Sequence, residues 1–197
     1  DRVESEPDWR SLDGMNGGVW RTESGLHVAW MAYRPVEGRD EAHMWLFVGT
    51  FGPSDGQLLH LRKYDILPPN AGVGDSDIQG FSGSDSELFA TTGAAGDVEG
   101  NPLNQTMFIG SLDDDAFGIH VDLGWPIAEP YVTDIGWDGE AFVVHSRQNW
   151  TGLLFLARVS PEGEILLPLT DYGFSWSPGG TELGYHMSTD PVTGMSY

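Results

Sequence analysis

The sequence predicts an all-β protein assembled from repeated four-stranded antiparallel units, and three observations predict it. Twenty-seven Gly and twelve Pro among 197 residues are more than a helical protein tolerates, because both residues break helices and punctuate turns. Eight Trp, nine Phe and six Tyr suit pleated, half-buried surfaces. Apolar residues arrive in short runs separated by turn chemistry, and the same order of runs and turns recurs along the chain.

The elements follow in order. After Gly17-Gly18 a strand opens at Val19-Trp20, and Glu23-Ser24-Gly25 turns it into Leu26–Tyr33. Met44–Phe51 comes next, and Pro53-Ser54-Asp55-Gly56 turns it into Leu58–Tyr64. The order repeats with Asp77–Phe81, Glu87–Thr92, Met107–Gly110 and Phe117–Leu123, the last pair joined across Asp113-Asp114-Asp115. It repeats again with Asp134–Trp137, a turn at Asp138-Gly139, Ala141–His145 and Leu153–Val159. Ser160-Pro161-Glu162-Gly163 then leads into Glu164–Leu169. A fourth copy opens at Phe174-Ser175-Trp176 and enters Glu182–His186.

The repeat-like stretches are approximately 17–65, 75–123, 132–169 and 172–197, within a single domain 1–197. Anchor residues Trp20, Phe81, Trp137 and Trp176 recur at long, uneven spacing. Repeats of about 40 to 50 residues with four strands each describe the blades of a β-propeller. About three and a half blades are expected here, and closed propellers have about four to eight. The chain therefore reads as part of a larger propeller, unless Trp9–Leu12 supplies strands to the last blade. A β-sandwich is the competing all-β architecture.

Phe174-Ser175-Trp176-Ser177-Pro178-Gly179-Gly180-Thr181-Glu182-Leu183-Gly184-Tyr185 resembles the W-S-P-D-G blade signature of TolB-type propellers, with Gly179 where that family has Asp. Asp134–Val144 resembles a looser form with a shorter turn. The resemblance implies a blade, not an activity. Propellers of this kind serve as periplasmic scaffolds, as gating domains of peptidases and as parts of carbohydrate-active enzymes.

Thirty acidic against nine basic residues give a net charge of −21. Such a surface repels phosphate backbones and anionic membranes, so neither nucleic acid nor an anionic bilayer is an expected partner. It suits cations, basic partners or high salt. No run of roughly 18 apolar residues is present, so no membrane span is expected. The absence of Cys removes disulfides, thiolate metal sites and a cysteine nucleophile. The opening at Asp1, with no initiating Met, reads as processing after export or as a fragment boundary. An extracytoplasmic location (periplasmic, cell-surface or secreted) is expected on that ground.

No nucleophile elbow, zinc-protease helix, P-loop or dinucleotide fingerprint occurs. Calcium is the metal the residues suit best. Asp75, Asp77 and Gln79 fall at positions 1, 3 and 5 of an EF-type loop, and Asp85 adds an oxygen. An ordinary polar turn is the plainer reading of the same residues, and Asp113-Asp114-Asp115 reads as a solvated hairpin tip. His145 and His186 take one position in successive repeats, with Thr91 at that position in the second, and would form a shared site or a structural repeat. Trp125 and Trp150 are the candidates for stacking on sugar rings, against a packing role between blades. With no catalytic constellation assembled, the expected function is a non-catalytic binding or scaffold module of an exported protein. The partner would be a protein or assembly that completes the propeller, or a carbohydrate. The alternative is a propeller enzyme acting on glycans or peptides, with Asp77, Asp134, His145 and His186 as its acids and bases.

Overall fold

The computed structural model describes residues 10–11, 18–35, 42–66, 80–93, 104–126, 131–148 and 153–175. Among them every regular element is a strand. Three antiparallel sheets follow one another along the chain. The first holds β1 (Arg10–Ser11), β2 (Gly18–Thr22), β3 (Gly25–Pro35), β4 (Ala42–Phe51) and β5 (Leu58–Asp65). The second holds β6 (Gly80–Gly83), β7 (Leu88–Gly93), β8 (Asn104–Ser111) and β9 (Phe117–Pro126). The third holds β10 (Tyr131–Trp137), β11 (Phe142–Gln148), β12 (Leu153–Val159) and β13 (Ile165–Ser175).

Each sheet is a meander whose strands pair in sequence order. The N-terminal addition is β1, which pairs with β3 through Arg10 opposite Tyr33 and Ser11 opposite Ala32. Part of Trp9–Leu12 thus extends the first sheet and not the last. β13 runs on to Ser175, which pairs with Leu153, so Phe174 and Ser175 finish the third sheet. Trp176 and the residues after it lie outside the described residues.

The turns follow from local chemistry. Gly163 has φ +85° after Ser160-Pro161-Glu162, and its N–H donates to Ser160 O at 2.9 Å. Pro161 presets the turn, and Gly163 takes the left-handed position that closes such a hairpin. At Asp138-Gly139 the Asp138 carboxylate accepts from the N–H groups of Glu140 (3.0 Å) and Ala141 (2.8 Å). Arg158 Nε donates to the other oxygen of Asp138 at 2.7 Å, tying the turn to β12. Burial pushes the Asp138 carboxyl up, but the bonds from Arg158, Ala141 and Glu140 outweigh it and hold the group below its ordinary value.

The sheets stack face to face. In β7, Phe89 enters the cluster shared with the first sheet while Ala90 enters the cluster shared with the third. In β8, Phe108 points to the first cluster, and Met107 and Ile109 to the second. Period-two alternation thus buries both faces of the middle sheet. The first cluster joins Trp20, Met31, Leu46, Tyr64, Phe81 and Phe89. The second joins Ile109, Val121, Ile135, Phe142, Val144 and Val159. The first strands lie side by side: β2 against β6, and β6 against β10.

Glycine permits that approach. A Cβ on Gly18 would sit 2.0 Å from the Phe81 ring, and one on Gly83 would sit 2.2 Å from Trp20. Trp20, Phe81 and Trp137 are therefore not equivalent anchors. Trp20 and Phe81 meet from opposite sides of one interface, with ring centroids 5.3 Å apart. Trp137 packs in the other interface.

Candidate functional site

The described residues hold one buried histidine cluster, and it joins the first two sheets. Thr22 ends β2, Ser24 lies in the following turn, His27 is on β3 and Thr50 on β4. Glu87 reaches across from the bend before β7. The ladder places His27 opposite Thr50, on the face turned to the second sheet. Its side chain is fully buried, and the Trp20 ring lies 4.9 Å away.

The hydrogen bonds fix the proton positions. Thr22 Oγ1 donates to Glu87 Oε1 at 2.8 Å, and Ser24 Oγ donates to Glu87 Oε2 at 3.1 Å. With its single proton committed, Thr22 Oγ1 must accept from His27 Nε2, 2.8 Å away. The neutral imidazole then carries its proton on Nε2. Nδ1 accepts from the Thr50 hydroxyl at 3.1 Å. Every polar atom of the imidazole is satisfied, as a buried group requires.

This geometry locks and does not activate. A hydroxyl nucleophile needs its base on one imidazole nitrogen and a carboxylate on the other. Here Glu87 Oε2 lies 4.0 Å from Nε2, on the same side as the hydroxyls. The carboxylate holds their protons, and no substrate reaches a fully buried ring. The cluster is a polar clasp between sheets. Sequence reading missed it because its members are far apart in the chain. The readable signal was Thr22 at the end of a strand and Ser24 in the turn that leads to His27.

Burial lowers the His27 pKa from 6.5, and Glu87 opposes that shift more weakly. The folded state therefore binds this proton less readily than the unfolded chain. The stability it contributes is complete above pH 6.5 and falls as pH drops through the window below. The slope for one proton is at most about 1.4 kcal/mol per pH unit. Urea midpoints measured between about pH 8 and pH 5 should decline more steeply in the parent than in His27→Gln. Parallel curves would show that the clasp does not titrate. At the alkaline end, burial pushes the Tyr64 phenol up to about 12, and its hydroxyl donates to Ser111 O at 3.1 Å.

The residues singled out in sequence distribute as follows. His145, on β11, lies directly opposite Asp134 on β10. The two occupy the face of the third sheet opposite Phe142 and Val144, which pack against the second sheet. Thr91 does not share that position. It faces Phe81 and Phe108 toward the first sheet, and its hydroxyl donates to Gly80 O at 2.7 Å. Counted from the closing pairs Gly83–Phe89 and Trp137–Phe142, Thr92 is the counterpart of His145. The equivalence of Thr91 with His145 is thus off by one residue, which reverses the face.

Asp85 is exposed in the bend between β6 and β7. Asp75, Asp77, Gln79, Trp150 and His186 lie outside the described residues, and Trp125 falls near the end of β9. Among the described residues no three His, Cys, Asp or Glu side chains converge on a metal position. Asp113, Asp114 and Asp115 are exposed at the β8–β9 tip, where Asp115 accepts from Arg62 at 2.9 Å. No helix among the described residues is long and apolar enough to cross a membrane.

The first sheet carries a further feature. Its face away from the second sheet is apolar and uncovered at Val19, Leu26, Trp30, Leu58, Leu59 and Leu61. Trp30 stacks on Phe47 at 5.7 Å, and the Lys63 ammonium sits 4.4 Å over Trp45. No protein-family model matches the chain, and neither a curated protein nor a solved structure does.

Proposed function

We propose that the chain is a segment of a β-propeller that works as a binding or scaffold module in an exported protein or assembly. The observation that carries this reading is the stacking of three consecutive meanders with their first strands adjacent. Radial arrangement of blades brings innermost strands together in this way. The blade-like signature from Phe174 to Tyr185 supports the same reading and relates the chain to TolB-type propellers. Partner contacts would come from loop aromatics, with Trp125 and Trp150 first. Calcium would be held by Asp75, Asp77, Gln79 and Asp85. Electron-microscopy class averages of the intact native assembly test the architecture. A ring of sheets around a channel is expected, and a flat two-sheet sandwich overturns it.

One observation favours a catalytic reading in second place. Asp134 and His145 are register partners on neighbouring strands, close enough for a carboxylate and an imidazole to share proton transfer. A glycosidase or peptidase activity of the native protein that disappears in His145→Ala, with the fold unchanged, would establish it.

A further inference from the structure

The first hairpins lay the three sheets on one another. Gly18–Ala29 in the first sheet corresponds to Gly80–Thr92 in the second and to Asp134–His145 in the third. Val19–Val28 then corresponds to Phe81–Thr91 and to Ile135–Val144, and Leu26 to Phe89 and Phe142. Turn length agrees, since four residues separate Arg21 from Leu26 and four separate Trp137 from Phe142. Side chains alternate between the two faces of a strand, so corresponding positions face the same way. Phe81 and Phe89 face back to the first sheet, and Ile135, Phe142 and Val144 face back to the second.

In the first sheet the same positions lie on the uncovered face. Phe81 and Ile135 are 7% and 3% exposed, but Val19 is 68% exposed. Phe89 and Phe142 are fully buried, but Leu26 is 40% exposed. Trp30, Leu58, Leu59 and Leu61 extend the patch, and a contiguous apolar patch marks a contact surface. Arg21 stands at the position of Gly83 and Trp137. It is exposed at the turn end of the face, where its charged head stays in water at the rim.

Both interfaces present cover these positions in one way. A glycine on the first strand of one sheet receives the next sheet at or beside the Val19 position. A Cβ on Gly18 would sit 2.0 Å from the Phe81 ring, and one on Gly80 would sit 2.9 Å from Asp134 Cα and 3.0 Å from Ile135 N. Glycine is what allows so close an approach. Two uncovered faces laid together would set Val19 against its own copy with no glycine to receive it. We infer that the uncovered face of the first sheet seats one further four-stranded sheet of the same kind, belonging to the same polypeptide, with a glycine of its first strand set against Val19. The source follows from continuity, because each interface already present joins sheets of one polypeptide in this same sense. The inference rests on the propeller reading and names what lies on this side of the stack.

The test is made on the intact native protein. The 197 residues hold no cysteine, so Val19→Cys puts one thiol on the face, and Asp85→Cys puts a control thiol on the exposed bend before β7. Circular dichroism matching the parent shows that both variants fold. Maleimide labelling, read at each tagged peptide by mass spectrometry, is expected to be at least about tenfold slower at Val19→Cys than at Asp85→Cys. Lys63, the single lysine of the sequence, lies opposite Phe47 on the same face. A short amine-reactive diazirine reagent on Lys63 of the parent is expected to photolink, within one polypeptide, to a strand outside the three described sheets. Equal labelling of the two thiols overturns the inference, because the face is then bare. Slow labelling with a link to a separate polypeptide, a second copy included, overturns the source. Slow labelling with links only inside the three described sheets overturns the further sheet. A ring of sheets in the class averages with Val19→Cys freely labelled leaves the propeller reading standing and removes this inference alone.

Discussion

Phe89→Ala is expected to destabilise the protein by about 3–5 kcal/mol, the range for truncating a fully buried aromatic ring. The ring is fully buried. It meets Tyr64 edge-on at 4.9 Å, Phe117 at 5.8 Å, Trp20 at 6.0 Å and Phe81 at 6.1 Å. Two of those partners, Tyr64 and Trp20, belong to the first sheet, and the other two to the second. The ring also lies on Gly110, where an added Cβ would come within 2.6 Å of it. Removing it takes away transfer energy and leaves a hollow that rigid neighbours cannot fill. For a chain of this size each kcal/mol is worth about 2–4 °C in the unfolding midpoint. A drop of roughly 6–20 °C is therefore expected by calorimetry. Phe89→Leu keeps much of the volume and should recover much of the loss. A drop below about 1 kcal/mol would mean that the first and second sheets are not joined through this ring.

Much of the fold is legible in the sequence because strands announce themselves locally. The short apolar run Leu26–Tyr33, the Asp138-Gly139 turn and the Ser160–Gly163 turn each specify their element with neighbouring residues alone. The grouping into fours is legible too, since meanders pair strands in chain order. What the sequence does not carry is which face each residue takes relative to another sheet. Trp20 and Phe81 look like copies of one anchor, yet they approach the same interface from opposite sides. Thr91 and His145 look equivalent, yet one residue of register separates them. Inter-sheet facing depends on register, and a slip of one reverses it. The histidine clasp was hidden for a related reason. His27 and Glu87 are sixty residues apart, and only sheet stacking brings them within reach. Asp134 and His145 show the opposite case, since a single hairpin sets them face to face.

Gly80→Ala is expected to cost about 1–3 kcal/mol, the range for forcing extra volume into a packed interior. Its added Cβ would lie 2.9 Å from Asp134 Cα, 3.0 Å from Ile135 N and 3.1 Å from Asp134 C. All three are backbone atoms, so no side-chain rotation relieves the contact. β6 and β10 would have to part by some tenths of an ångström along their length. The Gly80 peptide cannot slide aside freely either, because its carbonyl accepts from Thr91 Oγ1 at 2.7 Å. Gly118→Ala is the matched control, since a Cβ there meets nothing within 4 Å. In a strand that exchange should be neutral or stabilising by about 0.4–1 kcal/mol, through the entropy of the unfolded chain. Gly80→Val should exceed Gly80→Ala, as two further methyls enter the same contact. Denaturant midpoints of the three variants decide the matter. If Gly80→Ala proves as mild as Gly118→Ala, then β6 and β10 do not abut. The side-by-side order of first strands would fail with them, and with it the geometric ground for placing these sheets around a common axis.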